Sequence, residues 1–170
     1  MKHRCIIVLS LYLAGVAPSV WAQMSPLSAA PSASEEIVEV AVRLPKDGVR
    51  AGTAFEAFVM VQVADGWHVN AHEPTQPYFI GTTLDVAPRE DLRVEAAYYP
   101  DPLFRPFGFT DDTLAVYEGE IAIILAVRAS EALASGTQTL TSRLRVQACN
   151  DEVCLRPSTV EVLIPVEIVE

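Results

Sequence analysis

Residues 137–148 alternate in character, with Leu140, Leu144, Val146 and Ala148 on one side and Thr139, Thr141, Arg143, Arg145 and Gln147 on the other. A period of two sends successive side chains to opposite faces of an extended chain, so this run reads as a half-buried strand. The same period recurs at residues 37–43, where Val38, Val40 and Val42 oppose Glu39, Ala41 and Arg43. It recurs again at 120–128 (Ile121, Ile123, Leu125, Val127) and 159–169 (Val160, Val162, Ile164, Val166, Ile168). Residues 54–64, rich in Phe and Val with a weaker alternation, predict a strand buried on both faces. Residues 67–70, 82–86 and 92–98 predict short strands, and 45–52, 73–81 and 129–136 predict turns or connections. That makes about eight or nine strands, with a turn every ten or so residues and no helical run. The pattern predicts an all-β, immunoglobulin-like antiparallel β-sandwich.

The N-terminus follows different rules. Lys2, His3 and Arg4 precede an apolar run, residues 5–17, and Val20-Trp21-Ala22 ends in small residues at the positions a signal peptidase reads. A signal peptide is expected over residues 1–22, cleaved after Ala22, with Cys5 lost along with it. The apolar run is shorter than the roughly 20 residues that span a bilayer, so no stable membrane insertion is expected. Residues 23–34 are small, polar and proline-punctuated and read as a flexible linker, leaving residues 35–170 as the folded domain. In a chain of 170 residues this is room for one domain with a real core.

Removing Lys2 and Arg4 takes the net charge from −10 to −12. So acidic a surface would repel both nucleic acid and anionic membranes. Export would place the chain in an oxidising compartment, with an even cysteine count: Cys149 and Cys154, with four residues between them. A bridge closing so short a loop contributes only about 2 kcal/mol by chain entropy. Spacing and compartment favour a structural staple. Two features favour a switch: strand parity places Cys149 on the polar side, and Asp151 and Glu152 add negative charge that raises a thiol pKa. Such a pair would react only with a chosen partner.

Residues 100–112 have no regular period and hold three prolines, with Phe104, Phe107 and Phe109 around Gly108. Loop aromatics need a surface to cover, and this loop either packs on the sandwich or caps the cysteines. His68 and His72 could in principle join the cysteines in a metal site. On an extended segment, however, i and i+4 lie roughly 13 Å apart, so no metal and no cofactor is expected. No catalytic triad order, phosphate-cradling glycine loop or paired-carboxylate signature stands out.

Several runs together resemble a known family. Gly66-Trp67-His68-Val69-Asn70-Ala71, Tyr99-Pro100, Val116-Tyr117-Glu118-Gly119-Glu120 and, above all, Gln147-Ala148-Cys149-Asn150-Asp151-Glu152-Val153-Cys154-Leu155-Arg156-Pro157 are similar to the N-terminal periplasmic domain of the thiol:disulfide interchange protein DsbD. The resemblance extends over roughly residues 35–170. It implies an immunoglobulin-like sandwich whose Cys149/Cys154 pair cycles between dithiol and disulfide. It further implies that Cys154 forms the mixed disulfide, that Cys149 resolves it, and that Phe104, Phe107 and Phe109 belong to a shielding cap. The implied activity is thiol:disulfide interchange of the protein-disulfide reductase type. Implied partners are thioredoxin-like periplasmic proteins, including those of cytochrome c maturation, and a membrane thiol transporter acting in trans. The competing reading remains a non-catalytic β-sandwich binding module with a permanent disulfide, and a weaker one is a metal-binding protein that uses the histidines.

Overall fold

The computed structural model describes residues 30–108 and 112–170. The expected signal peptide, most of the expected linker and Phe109 lie outside the described residues. Twelve strands follow in chain order: β1 (Val38–Arg43), β2 (Val49–Arg50), β3 (Ala54–Val63), β4 (His68–Asn70), β5 (Thr83–Val86), β6 (Leu92–Tyr98), β7 (Leu103–Pro106), β8 (Thr113–Tyr117), β9 (Glu120–Ala129), β10 (Gly136–Val146), β11 (Ala148–Cys149) and β12 (Ser158–Val169). They form three four-stranded sheets, ordered β1-β3-β9-β6, β2-β12-β10-β5 and β11-β4-β8-β7. Every pairing is antiparallel except β2 on β12.

The alternation of residues 137–148 and 159–169 sets the core. Leu140, Leu144 and Val146 of β10 and Val162, Ile164, Val166 and Ile168 of β12 are buried, in one cluster with Val59 and Val61 of β3 and Ile123, Leu125 and Val127 of β9. The sheets β1-β3-β9-β6 and β2-β12-β10-β5 thus close on each other as an immunoglobulin-like β-sandwich, the expected fold class. Ser142 interrupts the apolar face of β10, and its Oγ donates to the Val162 carbonyl at 2.8 Å. That bond satisfies the only side-chain group this residue brings into the core.

Three expectations change. Strand β3 is not buried on both faces: Ala57, Val59, Val61 and Val63 are buried, while Glu56 and Gln62 are exposed and Phe58 and Met60 half-buried. An antiparallel sheet can leave its outer face open to water, and this one does. Residues 100–112 are not simply a loop. Leu103–Pro106 form β7, which pairs with β8 from Leu103↔Val116 to Pro106↔Thr113. All four β7 residues are exposed, so no alternation marked the strand, and Pro106 is tolerated because β7 is an edge.

The linker also ends earlier than expected. Ser34–Glu36 form a single 3-10 turn, and Ser34 is fully buried. Its backbone N–H donates to the Arg156 carbonyl at 3.2 Å, tying this turn to the segment just after the cysteines.

Truncating Ile164 to alanine in the sandwich core should cost about 2–5 kcal/mol. The check is urea unfolding: the midpoint should fall with the slope unchanged, and an unmoved midpoint would contradict the core assignment.

Candidate functional site

The cysteines sit where the chain leaves the sandwich. β10 ends at Val146 and β11 begins at Ala148, in a different sheet, so Gln147 alone makes the crossing. Its side chain holds the corner on three sides. Oε1 accepts from Asn70 Nδ2 and from the Ile80 backbone N–H, both at 3.3 Å, and Nε2 donates to the Leu155 carbonyl at 3.4 Å. The Asn70 N–H also donates to the Gln147 carbonyl. Because the chain turns here, the parity of β10 does not carry through. Cys149, expected on the polar side, is 1% exposed, and Ala148 beside it is equally buried.

Strand β11 pairs with β4, Ala148 opposite Val69 and Cys149 opposite His68. Ser34 Oγ accepts from the Ala148 N–H at 2.9 Å and donates to the Arg156 carbonyl at 2.7 Å, bridging the strand that enters the cysteine turn and the segment that leaves it. The turn itself is closed by Asn150. Its N–H donates to the Val153 carbonyl, and its Oδ1 accepts from the N–H groups of Glu152 at 2.9 Å and Val153 at 2.8 Å. A short amide side chain that reaches its own following backbone is a turn-forming device. Asp151, Glu152, Val153 and Cys154 are exposed.

Cys149 and Cys154 are joined as a disulfide, with an S–S distance of 2.04 Å and Cα atoms 4.0 Å apart. The two halves differ sharply in environment: Cys149 is buried under strand pairing, while Cys154 lies on the open turn. Backbone bonds already clasp the loop on both sides of the bridge, Asn150 N–H to the Val153 carbonyl inside it and Leu155 N–H to the Ala148 carbonyl at 2.8 Å outside it.

Opposite Cys149, the His68 ring is 4% exposed and lies against Phe107, centroid to centroid 4.3 Å. Its Nε2 is buried with no hydrogen-bond partner among the described residues, a state that costs on the order of 1–3 kcal/mol. Burial holds the His68 pKa below the usual histidine value, while the nearby Glu118 and Asp151 carboxylates pull it back up. Glu118 is itself paired with the Arg105 guanidinium at 3.0 Å and 3.2 Å, at the base of the β7–β8 hairpin. Trp67, His68, Leu103, Phe107, Glu118 and Asp151 line one cleft beside the cysteine turn.

Not every candidate converges here. Phe107 covers His68, but Phe104 is exposed and lines a second groove with His72, Tyr98, Tyr99 and Tyr117. His72 is turned away, its ring stacked on Tyr99 at 3.7 Å and its Nδ1 2.9 Å from the Thr82 carbonyl. Among the described residues no group of three or more His, Cys, Asp or Glu side chains is placed to hold a metal ion. Sequence reasoning missed Ser34, Gln147 and the structural part played by Asn150. The last was readable as an Asx turn; the first two act through partners far along the chain.

The profile of the family described as thiol:disulfide interchange protein DsbD, N-terminal, matches residues 35–165. The chain belongs to this family. Two solved structures are similar to it. The N-terminal domain of Neisseria meningitidis DsbD in its reduced form is 18% identical, with a TM-score of 0.49, over 78% of this chain and 88% of that one. The N-terminal periplasmic domain of ScsB from Proteus mirabilis is 13% identical, with a TM-score of 0.52, over 78% of this chain. The chain spans 47% of that ScsB domain's length. No curated protein sequence matches.

The depressed His68 pKa has a definite consequence for stability. The folded state favours the neutral ring, so the stabilisation is complete above the unfolded-state value near 6.5 and is lost as pH falls below it toward the folded-state value. Urea midpoints measured from about pH 7 down to pH 5 should fall in the wild type and fall less steeply in His68→Phe. Parallel curves would contradict the burial of this ring.

Proposed function

We propose that this DsbD N-terminal family member is a periplasmic thiol–disulfide exchange module. Its Cys149/Cys154 pair relays reducing equivalents from a thioredoxin-like or membrane-bound donor to periplasmic acceptor proteins, those of cytochrome c maturation among them. The observation that carries the reading is the asymmetry of the disulfide, one cysteine open and the other buried, in a chain of this family.

The chemistry follows from that asymmetry. A donor thiolate attacks the exposed Cys154 Sγ, the Cys149–Cys154 bond breaks, and Cys149 leaves as a thiolate that takes up a proton. The donor's second thiol then attacks the donor sulfur of the mixed disulfide and releases Cys154; the donor ends oxidised and the pair reduced. Delivery runs the same steps outward. The Cys154 thiolate attacks an acceptor disulfide, and Cys149 attacks Cys154 Sγ, expelling the acceptor thiol and restoring the internal bridge.

Asp151 and Glu152 disfavour the Cys154 thiolate and so suppress reaction with small adventitious disulfides. Phe107 narrows the approach from the hairpin side. A permanent staple is disfavoured because the backbone bonds of Asn150 and Leu155 already hold the ends of the loop together. Among the described residues no helix is long and apolar enough to cross a membrane.

Replacing Cys149 by serine leaves Cys154 without its resolving partner. Incubated with periplasmic extract or with an oxidised thioredoxin-like domain, Cys149→Ser should accumulate a dithiothreitol-sensitive covalent complex, and Cys154→Ser should not. Absence of any such complex with Cys149→Ser would overturn the relay.

A further inference from the structure

We propose that His68 is the proton acceptor for Cys149, drawing the thiol proton onto Nε2 as Cys149 attacks the mixed disulfide. The inference deepens the exchange reading above and rests on it for the identity of the mixed disulfide.

Three independent observations meet at this pair. In the β11–β4 ladder Cys149 and His68 are direct partners, so their side chains leave the same face of the sheet. Residues so paired have Cβ atoms about 5 Å apart, within reach of an imidazole. Next, His68 Nε2 is buried and lacks a hydrogen-bond partner among the described residues while the cysteines are joined. An orphaned buried nitrogen calls for an explanation, and a disulfide sulfur has no proton to offer it. Reduction supplies one: the Cys149 S–H becomes a donor on the same face. Finally, Phe107 lies on the ring and Cys149 is 1% exposed, which leaves the buried sulfur few other places to put its proton.

The charges around the ring suit a transient imidazolium. Glu118 faces it from the β8–β9 turn, ion-paired with Arg105 of β7, and Asp151 faces it from the cysteine turn. Asp65 lines the same cleft, and Cys149 lies opposite. The carboxylates stabilise the positive ring while it exists, and burial favours its return to neutrality. The step balances. The Cys149 S–H proton moves to Nε2, the Cys149 sulfur forms a bond to Cys154 Sγ, and the bond from Cys154 to the acceptor sulfur breaks. The acceptor leaves as a thiolate and His68 later passes its proton to solvent.

The test needs no biological partner. Fully reduced protein is mixed with excess 5,5′-dithiobis(2-nitrobenzoate) in a stopped-flow instrument. The first thionitrobenzoate release reports Cys154 attack, and the second reports Cys149 resolving the mixed disulfide. In the wild type the second rate should be nearly flat from about pH 7 to 8.5. In His68→Phe and His68→Gln it should fall by about tenfold or more at pH 7 and rise about tenfold per pH unit, as for an unassisted thiol. The first release should be unchanged. A second release with the wild-type pH profile in both variants would overturn the proposal.

A measurement without mutation guards against variants that fail to fold. NMR titration of the wild type should give His68 different pKa values in the disulfide and dithiol states. Identical His68 titrations would equally overturn it. If partner trapping fails while these results hold, the relay falls and the His68–Cys149 proton pair stands.

Discussion

The site depends on one pairing, the two-residue strand Ala148–Cys149 laid against His68 and Val69. A strand of two residues cannot hold its place by its own ladder, and here it is held from outside. Gln147 pins its entry to Asn70, Ile80 and Leu155, and Ser34 bonds Ala148 on one side and Arg156 on the other. The sandwich supplies the rigid base, because β10 runs eleven residues in register with β12 before it reaches the corner. What the corner achieves is a change of surroundings within six residues, from a buried cysteine to an exposed one.

In the proposed relay that change decides the chemistry. Had both sulfurs been buried, the bridge would be inaccessible to a partner. Had both been exposed, either could be attacked and the order of events would be undefined. With Cys154 outside and Cys149 inside, an incoming thiolate meets one sulfur first, and the second is reserved for the internal step. The buried sulfur then needs somewhere to place its proton, and the unpartnered ring nitrogen of His68 lies across the ladder from it. In the proposed relay the turn acids and the aromatic on the hairpin act on access and timing, not on the bond itself.

Much of this was legible in the sequence. The alternation of 37–43, 120–128, 137–148 and 159–169 marked the sandwich because each of those strands buries one face only. The cysteine turn stood out because the expected signal peptide would leave only its two cysteines, and the flanking residues resembled a family that matches over 35–165. Strand β7 stayed hidden because an edge strand with no buried residue leaves no period to read. Cys149 was placed on the wrong side because parity assumes one continuous strand, and Gln147 breaks it. Ser34 was invisible for a different reason: its partners, Ala148 and Arg156, lie more than a hundred residues away.

The central claim is that the Cys149–Cys154 bond is made to be opened. Equilibrating the purified protein in glutathione or dithiothreitol redox buffers and counting free thiols gives its midpoint potential directly. The account predicts a midpoint between thioredoxin, at about −270 mV, and the periplasmic oxidants, at about −120 mV. A midpoint well below about −300 mV, typical of structural disulfides, would contradict it.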